Sequence, residues 1–158
     1  MRFLDTMIFI KWGQATVAEA VQDEEISLCG FVLTRIRNGE EALVSSLVKD
    51  EALIWFSRYK ASRLVDFIRG LVALTNIRIV QPTLEDELEA IKIHGQYPLG
   101  ISDLINLSIM KRHGVNEIYS TDKGFDQVPA VKRIFDELKS EVEYKDFVKK
   151  LKLAARLT

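Results

Sequence analysis

Short apolar runs separated by longer amphipathic stretches set what this chain of 158 residues can fold into. Arg2 to Ile10 reads as a short buried strand with Asp5 at its carboxyl end, and Phe3, Leu4, Ile8 and Phe9 give it the character of a central strand. Ala42 to Ser46, Ile77 to Val80, Glu117 to Ser120 and Val131 to Phe135 are further strands, each bounded by turn or helix signals. The segments between them repeat their apolar residues at helical spacing. Alternation of this kind predicts an α/β fold in three layers, a parallel sheet of about five strands with helices on both faces.

The helices carry their own boundary signals. Thr16 to Arg37 has Asp23, Glu24 and Glu25 early, Arg35 and Arg37 late and Asn38-Gly39 as a stop, in the sense the helix dipole favours. A second helix follows to about Tyr59 and a third runs from Ser62 to Leu74. Thr83 caps a helix whose third position is Asp86, the pattern of a capping box. Gln96 to Gly100 breaks that helix, Ile101 to His113 forms the next, and a charged helix occupies roughly residues 136–158. With no internal repeat and no long linker, residues 1–158 are expected to form a single domain, its C-terminal helix packed on it or extending from it.

A net charge of −1 gives no global basic field, so a nucleic-acid groove must be local. Cys29, the only cysteine, cannot form an intrachain disulfide and reads as a buried helix residue. The N-terminus lacks signal-peptide features, and no apolar run reaches the roughly 18 residues of a membrane span. A cytoplasmic protein with no membrane partner is expected.

Four acids stand out because their surroundings call for something apolar or bland. Asp5 ends a buried strand, where it is either a turn cap or a charge that must meet a cation or several donors. Glu51 lies three or four positions from Leu47, Val48, Ile54 and Trp55, in the middle of an apolar helix face, and demands either an arginine partner or a cation. Asp103 opens a helix that is apolar almost all round, as a cap or as a ligand. Asp122, in Ser120-Thr121-Asp122-Lys123-Gly124-Phe125-Asp126, follows a strand and is open to the same two readings, as is Asp126.

Taken in order, Phe3-Leu4-Asp5-Thr6, Val44-Ser45-Ser46 to Glu51, Ile101-Ser102-Asp103-Leu104-Ile105 and Tyr119-Ser120-Thr121-Asp122-Lys123-Gly124-Phe125-Asp126 resemble a PIN domain. This is the metal-dependent ribonuclease fold of the VapC-type toxins of bacterial and archaeal toxin–antitoxin pairs. The resemblance implies that Asp5, Glu51, Asp103 and Asp122 are catalytic and metal-binding, with Thr6 and Ser120 as donors that hold the carboxylates and Asp126 as an auxiliary acid. It implies cleavage of single-stranded RNA leaving a 3′ hydroxyl and a 5′ phosphate, a VapB-type antitoxin partner and a homodimer. One departure is Met7, where family members commonly carry a polar residue, often Asn.

Hard oxygen ligands without Cys or His suit magnesium or manganese, one ion or two, better than zinc. Such a cation relieves repulsion among clustered carboxylates and can activate water. The expected activity is therefore a Mg2+- or Mn2+-dependent phosphodiesterase. Two other readings stay open: a catalytically silent PIN-like binding or assembly module, and an RNA-processing nuclease without an antitoxin. Trp12 and Trp55 read as core or interface residues, and His94 and His113 as helix-end residues. Lys149, Lys150, Lys152 and Arg156 read by default as a solvated face, with RNA or antitoxin contact as the alternative. Trp55, Phe56 and Tyr59, within five residues of one another, exceed what one helix face can bury and give a local motive for dimerisation.

Overall fold

A computed structural model describes residues 1–157. Five short strands, β1 (Arg2–Leu4), β2 (Ala42–Ser45), β3 (Ile77–Val80), β4 (Glu117–Tyr119) and β5 (Lys132–Ile134), form one parallel sheet in the order β3-β2-β1-β4-β5. The central position of β1 follows from its sequence: Phe3 and Leu4 are both fully buried, one toward each face. Ala42, Leu43, Val44, Ile118 and Tyr119 flank them with no exposure, and each large side chain buried this way contributes about 1.5–3 kcal/mol.

Among the described residues eight α-helices surround the sheet: α1 (Thr6–Gln14), α2 (Val17–Gln22), α3 (Glu24–Arg37), α4 (Ser46–Tyr59), α5 (Leu64–Ala73), α6 (Leu84–Ile93), α7 (Ile101–Arg112) and α8 (Val142–Leu157). The chain steps outward from β1 to β2 to β3, then returns to the other side of β1 for β4. Right-handed crossovers therefore put α1 to α5 on one face and α6 and α7 on the other. In agreement, α1 packs on α3 and α4, and α6 packs on α7. The crevice where the strand order reverses lies at the carboxyl ends of β1 and β4, the place where open α/β sheets bind ligands.

Two elements differ from the sequence expectation. The run Arg2–Ile10 is a strand only as far as Leu4; Asp5 accepts the Thr6 N–H as an N-cap, and Thr6 onward is helix. The buried Ile8, Phe9 and Ile10 line the inner side of α1, where a continuous apolar run suits a buried helix as well as a buried strand. The long helix expected from Thr16 to Arg37 is two helices, broken at Asp23, whose carboxylate caps α3 by accepting from the Ile26 N–H. Thr83 and Asp86 do form the expected capping box, and Cys29 is fully buried in α3.

Candidate catalytic site

Three of the four acids sit on the first residues after a strand or in the first turns of a helix at one end of the sheet. Asp5 directly follows β1, and Asp122 lies three residues beyond the end of β4. Asp103 is in the first turn of α7. Glu51 is carried further along α4, which Ser45 starts by accepting from the Val48 N–H.

Short polar links fix these elements to one another. The Ser120 hydroxyl donates to Asp5 Oδ2 at 2.6 Å while its oxygen accepts the Asp122 N–H at 3.0 Å, so one buried serine serves both acids. Thr6 Oγ1 donates to Glu51 Oε2 at 3.1 Å and ties α1 to α4. The Asp122 carboxylate accepts the Gly124 N–H at 2.8 Å. Gly124 has to be glycine here: a Cβ would stand 2.8 Å from the Pro98 carbonyl oxygen and 3.0 Å from Asp122 Oδ1, so the loop closes on the segment leading into α7.

Sequence reading missed the link between the two helices bearing Glu51 and Asp103. Ser45 donates to Asn106 Oδ1 at 2.6 Å, joining the end of β2 and the start of α4 to the middle of α7. Asn106 is buried, and its signal was an amide among the apolar residues of an interior helix. Arg133 was also missed. It grips Asp126 through two nitrogens at 3.0 and 3.2 Å and donates to the Ser120 carbonyl at 3.2 Å, so Asp126 is engaged by an arginine.

Electrostatics show that the acids share one region. Burial raises the Asp5 carboxyl above its ordinary range; the Ser120 and Thr6 donors oppose that, while the charges of Glu51 and Asp122 add to it. Asp103 is pushed up to about 7, first by loss of water and then by the fields of Asp5, Asp122 and Glu51. Glu51 has no arginine partner among the described residues. Its hydroxyl donor is Thr6. No three acidic, histidine or cysteine side chains among the described residues are gathered closely enough to share an ion. The four acids thus act on one another electrostatically without forming a closed cage.

The donor set suits a hard cation: carboxylate oxygens only, partly dehydrated and mutually repelling, with neither histidine nearby. His94 is exposed at the end of α6, and His113 ends α7 at the opposite terminus from Asp103. Met7 is partly buried and packs against the cluster of Ile10, Ala52 and Phe56 in the seam between α1 and α4. A groove of 1310 Å3 opens elsewhere, floored by Phe9, Trp12, Phe31, Phe67 and Phe147, and none of the four acids lines it.

The PIN domain family profile matches residues 2–131. The chain belongs to the PIN domain family. Residues 132–158, including α8, lie beyond the match. No curated protein matches the sequence significantly. Among solved structures, the Mycobacterium tuberculosis VapC20, a sarcin-ricin loop cleaving toxin, superposes with a TM-score of 0.65 at 16% identity, over 85% of this chain and 99% of the toxin. A toxin–antitoxin complex from Klebsiella pneumoniae gives a TM-score of 0.60 at 16% identity, over 83% of this chain and 95% of its own. VapBC2 from Rickettsia felis, bound to a DNA fragment from its promoter, gives 0.60 at 14% identity, over 85% and 98%. At these identities the likeness establishes the PIN fold.

Proposed function

We propose that this chain is a magnesium- or manganese-dependent endoribonuclease that cuts single-stranded RNA in the cytoplasm and acts as the toxin of a toxin–antitoxin pair with a VapB-type partner. The observation that carries this reading is the way Ser120 joins Asp5 to Asp122 and Thr6 joins α1 to Glu51, in a region where Asp5, Asp122 and Glu51 all act on Asp103 and raise its carboxyl. Such repulsion is costly at neutral pH, and a cation offsets it. Asp5, Glu51, Asp103 and Asp122 would hold the ion, which would supply Lewis-acid stabilisation of a scissile phosphate and a more acidic water. Ser120 and Thr6 fix the oxygen positions of Asp5 and Glu51, and Ser120 also anchors the Asp122 backbone. Because no three ligands are already gathered, rotation of side chains such as Glu51 and Asp103 would accompany binding. Residues 1–158 act as one nuclease domain in this reading.

Pairing of two copies is part of the same proposal. Phe56 is fully buried, but Ile54 and Tyr59 on α4 and Val65 and Val72 on α5 remain exposed and could be covered by a second copy. No helix among the described residues is long and apolar enough to cross a membrane.

The test is cleavage of a labelled single-stranded RNA by rigorously purified parent and Asp103→Asn proteins. Cutting by the parent with magnesium or manganese, its abolition by chelator or by the substitution, and products with 3′ hydroxyl and 5′ phosphate ends are expected. Absence of cutting by the parent, with no rise in melting temperature on adding manganese, would sink the nuclease reading and favour a silent PIN module.

A further inference from the structure

The outer face of α8 carries a pattern that the acid cluster does not use. This helix has five basic and two acidic residues, in a chain whose net charge is −1. Lys145, Lys149, Lys152 and Arg156 follow one another at spacings of four, three and four residues. At 3.6 residues per turn they fall within an arc of about 60° and run for about 16 Å along the helix. All four are exposed, and none makes an ion pair or a side-chain hydrogen bond among the described residues. Glu143 and Asp146 project to a different flank, where they line the apolar groove together with Lys150. The face of Lys145, Lys149, Lys152 and Arg156 is thus free of acids, which lie with Lys150 on the other flank, whereas an ordinary solvated helix face mixes the two signs to gain i,i+4 pairs.

We infer that α8 is a docking rail for the phosphate backbone of single-stranded RNA, placed outside the part of the chain that matches the PIN profile. A row of four unpaired cations at nearly regular spacing complements a polymer with one charge per unit. A membrane is a poorer fit, because the apolar side of the helix is already used: Tyr144, Phe147, Val148 and Leu151 pack into the protein, with Phe147 against Trp12 and Phe31. The Tyr144 hydroxyl is hydrogen-bonded to Ser27, and Arg35 is paired with Glu141 at 2.8 Å, so the rail is fixed to α3 at its start. RNA held there is presented to the protein by sequence-independent contacts that leave the acids free for chemistry. The inference rests on the ribonuclease reading for its substrate but not for its measurement.

The decisive experiment compares the parent with Lys145→Gln/Lys149→Gln/Lys152→Gln/Arg156→Gln, with Lys60→Gln/Lys111→Gln/Lys132→Gln/Lys139→Gln as a control that removes equal charge elsewhere. Binding of a fluorescent single-stranded RNA, long enough to span α8, is followed by anisotropy in chelator across a salt series. The rail variant is expected to bind about tenfold more weakly or worse at low salt, with a salt slope shallower by about 2 to 3 units, as four lost phosphate contacts require. The control should stay near the parent. Where cleavage occurs, the rail variant should raise KM for the long RNA without changing kcat, and should cut a dinucleotide as the parent does. Parent-like RNA binding by the rail variant, equal losses in rail and control variants, no RNA binding by the parent, or loss of affinity only for anionic vesicles or duplex DNA would each overturn the inference. A parent that binds RNA through the rail yet cuts none would sink the nuclease reading and leave the rail standing.

Discussion

The Ser120 hydroxyl donates to Asp5 Oδ2 at 2.6 Å, across the junction where β1 and β4 end side by side. Burial alone pushes the Asp5 carboxyl upward; this donor and the Thr6 N–H are what oppose that tendency within the chain. The same serine oxygen accepts the Asp122 N–H, so Ser120 lowers the carboxyl of one acid and holds the backbone of another.

Ser120→Ala should therefore impair cutting in a pH-dependent way. Removing the donor raises the Asp5 carboxyl further, so the rising limb of the activity profile should move to higher pH, and stability should fall by about 1–3 kcal/mol because the Asp122 N–H loses its partner. A uniform loss of activity with an unmoved profile would show that Ser120 acts on packing alone.

Asp5→Asn keeps the shape of the side chain and can still accept from Thr6 while relieving repulsion on Asp103, Glu51 and Asp122. The expected outcome is lost RNA cleavage, a melting temperature in chelator equal to or above that of the parent, and a smaller rise on adding manganese. A marked drop in metal-free melting temperature would mean that hydrogen bonding outweighs repulsion at this position.

Asp103 gives a prediction whose sign is opposite to that of a salt-bridged acid. Its folded-state value, about 7, lies above the ordinary 3.8, so between these values the unfolded chain releases a proton that the folded protein retains. Folding is thereby weakened progressively as pH rises through that window, and the loss is complete above it. Asp103→Asn lacks this penalty. In chelator its melting temperature should exceed the parent's by more at pH 8 than at pH 5, where thermal unfolding at both values provides the check; equal differences would place Asp103 in solvent.

How far the sequence carried is clearest at the acids themselves. Their order relative to strands and helices was legible because apolar periodicity marks the elements, and Asp5 and Asp103 stand at element starts. The switch from strand to helix at Thr6 was not, since Phe3 to Ile10 is apolar enough for either, and only the Asp5 cap and packing of α1 on α3 and α4 decide it. Ser45–Asn106 and Arg133–Asp126 escaped because each joins residues whose proximity depends on the folded topology. Ser45 in isolation is an ordinary helix cap. Gly30 shows the same limit: a glycine inside a helix reads as a weakness, yet a Cβ there would stand 2.4 Å from the Trp12 ring.

The firmest prediction away from the acids concerns Asp86 and Arg112, which join α6 to α7. Asp86 is almost fully buried, which by itself would raise its carboxyl, but Arg112, the Thr83 N–H and Ser108 outweigh burial and bring it down to about 2. Arg112 reaches it at 2.9 Å and also donates to the Gln81 carbonyl. A depressed carboxyl adds stability above its unfolded value and loses it as pH falls toward 2, so this pair supports the protein at neutral pH and fails in acid. Arg112→Met removes the cation and leaves a buried charge held only by neutral donors, at a cost of about 3 kcal/mol at pH 7. The cost should shrink toward pH 3, where Asp86 can take a proton, and Asp86→Asn added to Arg112→Met should recover part of it. Urea unfolding at both pH values, with RNA cleavage below the unfolding transition as a control, checks this. Equal losses at pH 7 and pH 3 would mean that Arg112 contributes by packing its stem, and a fall in cleavage beyond the unfolded fraction would tie α6 to the site.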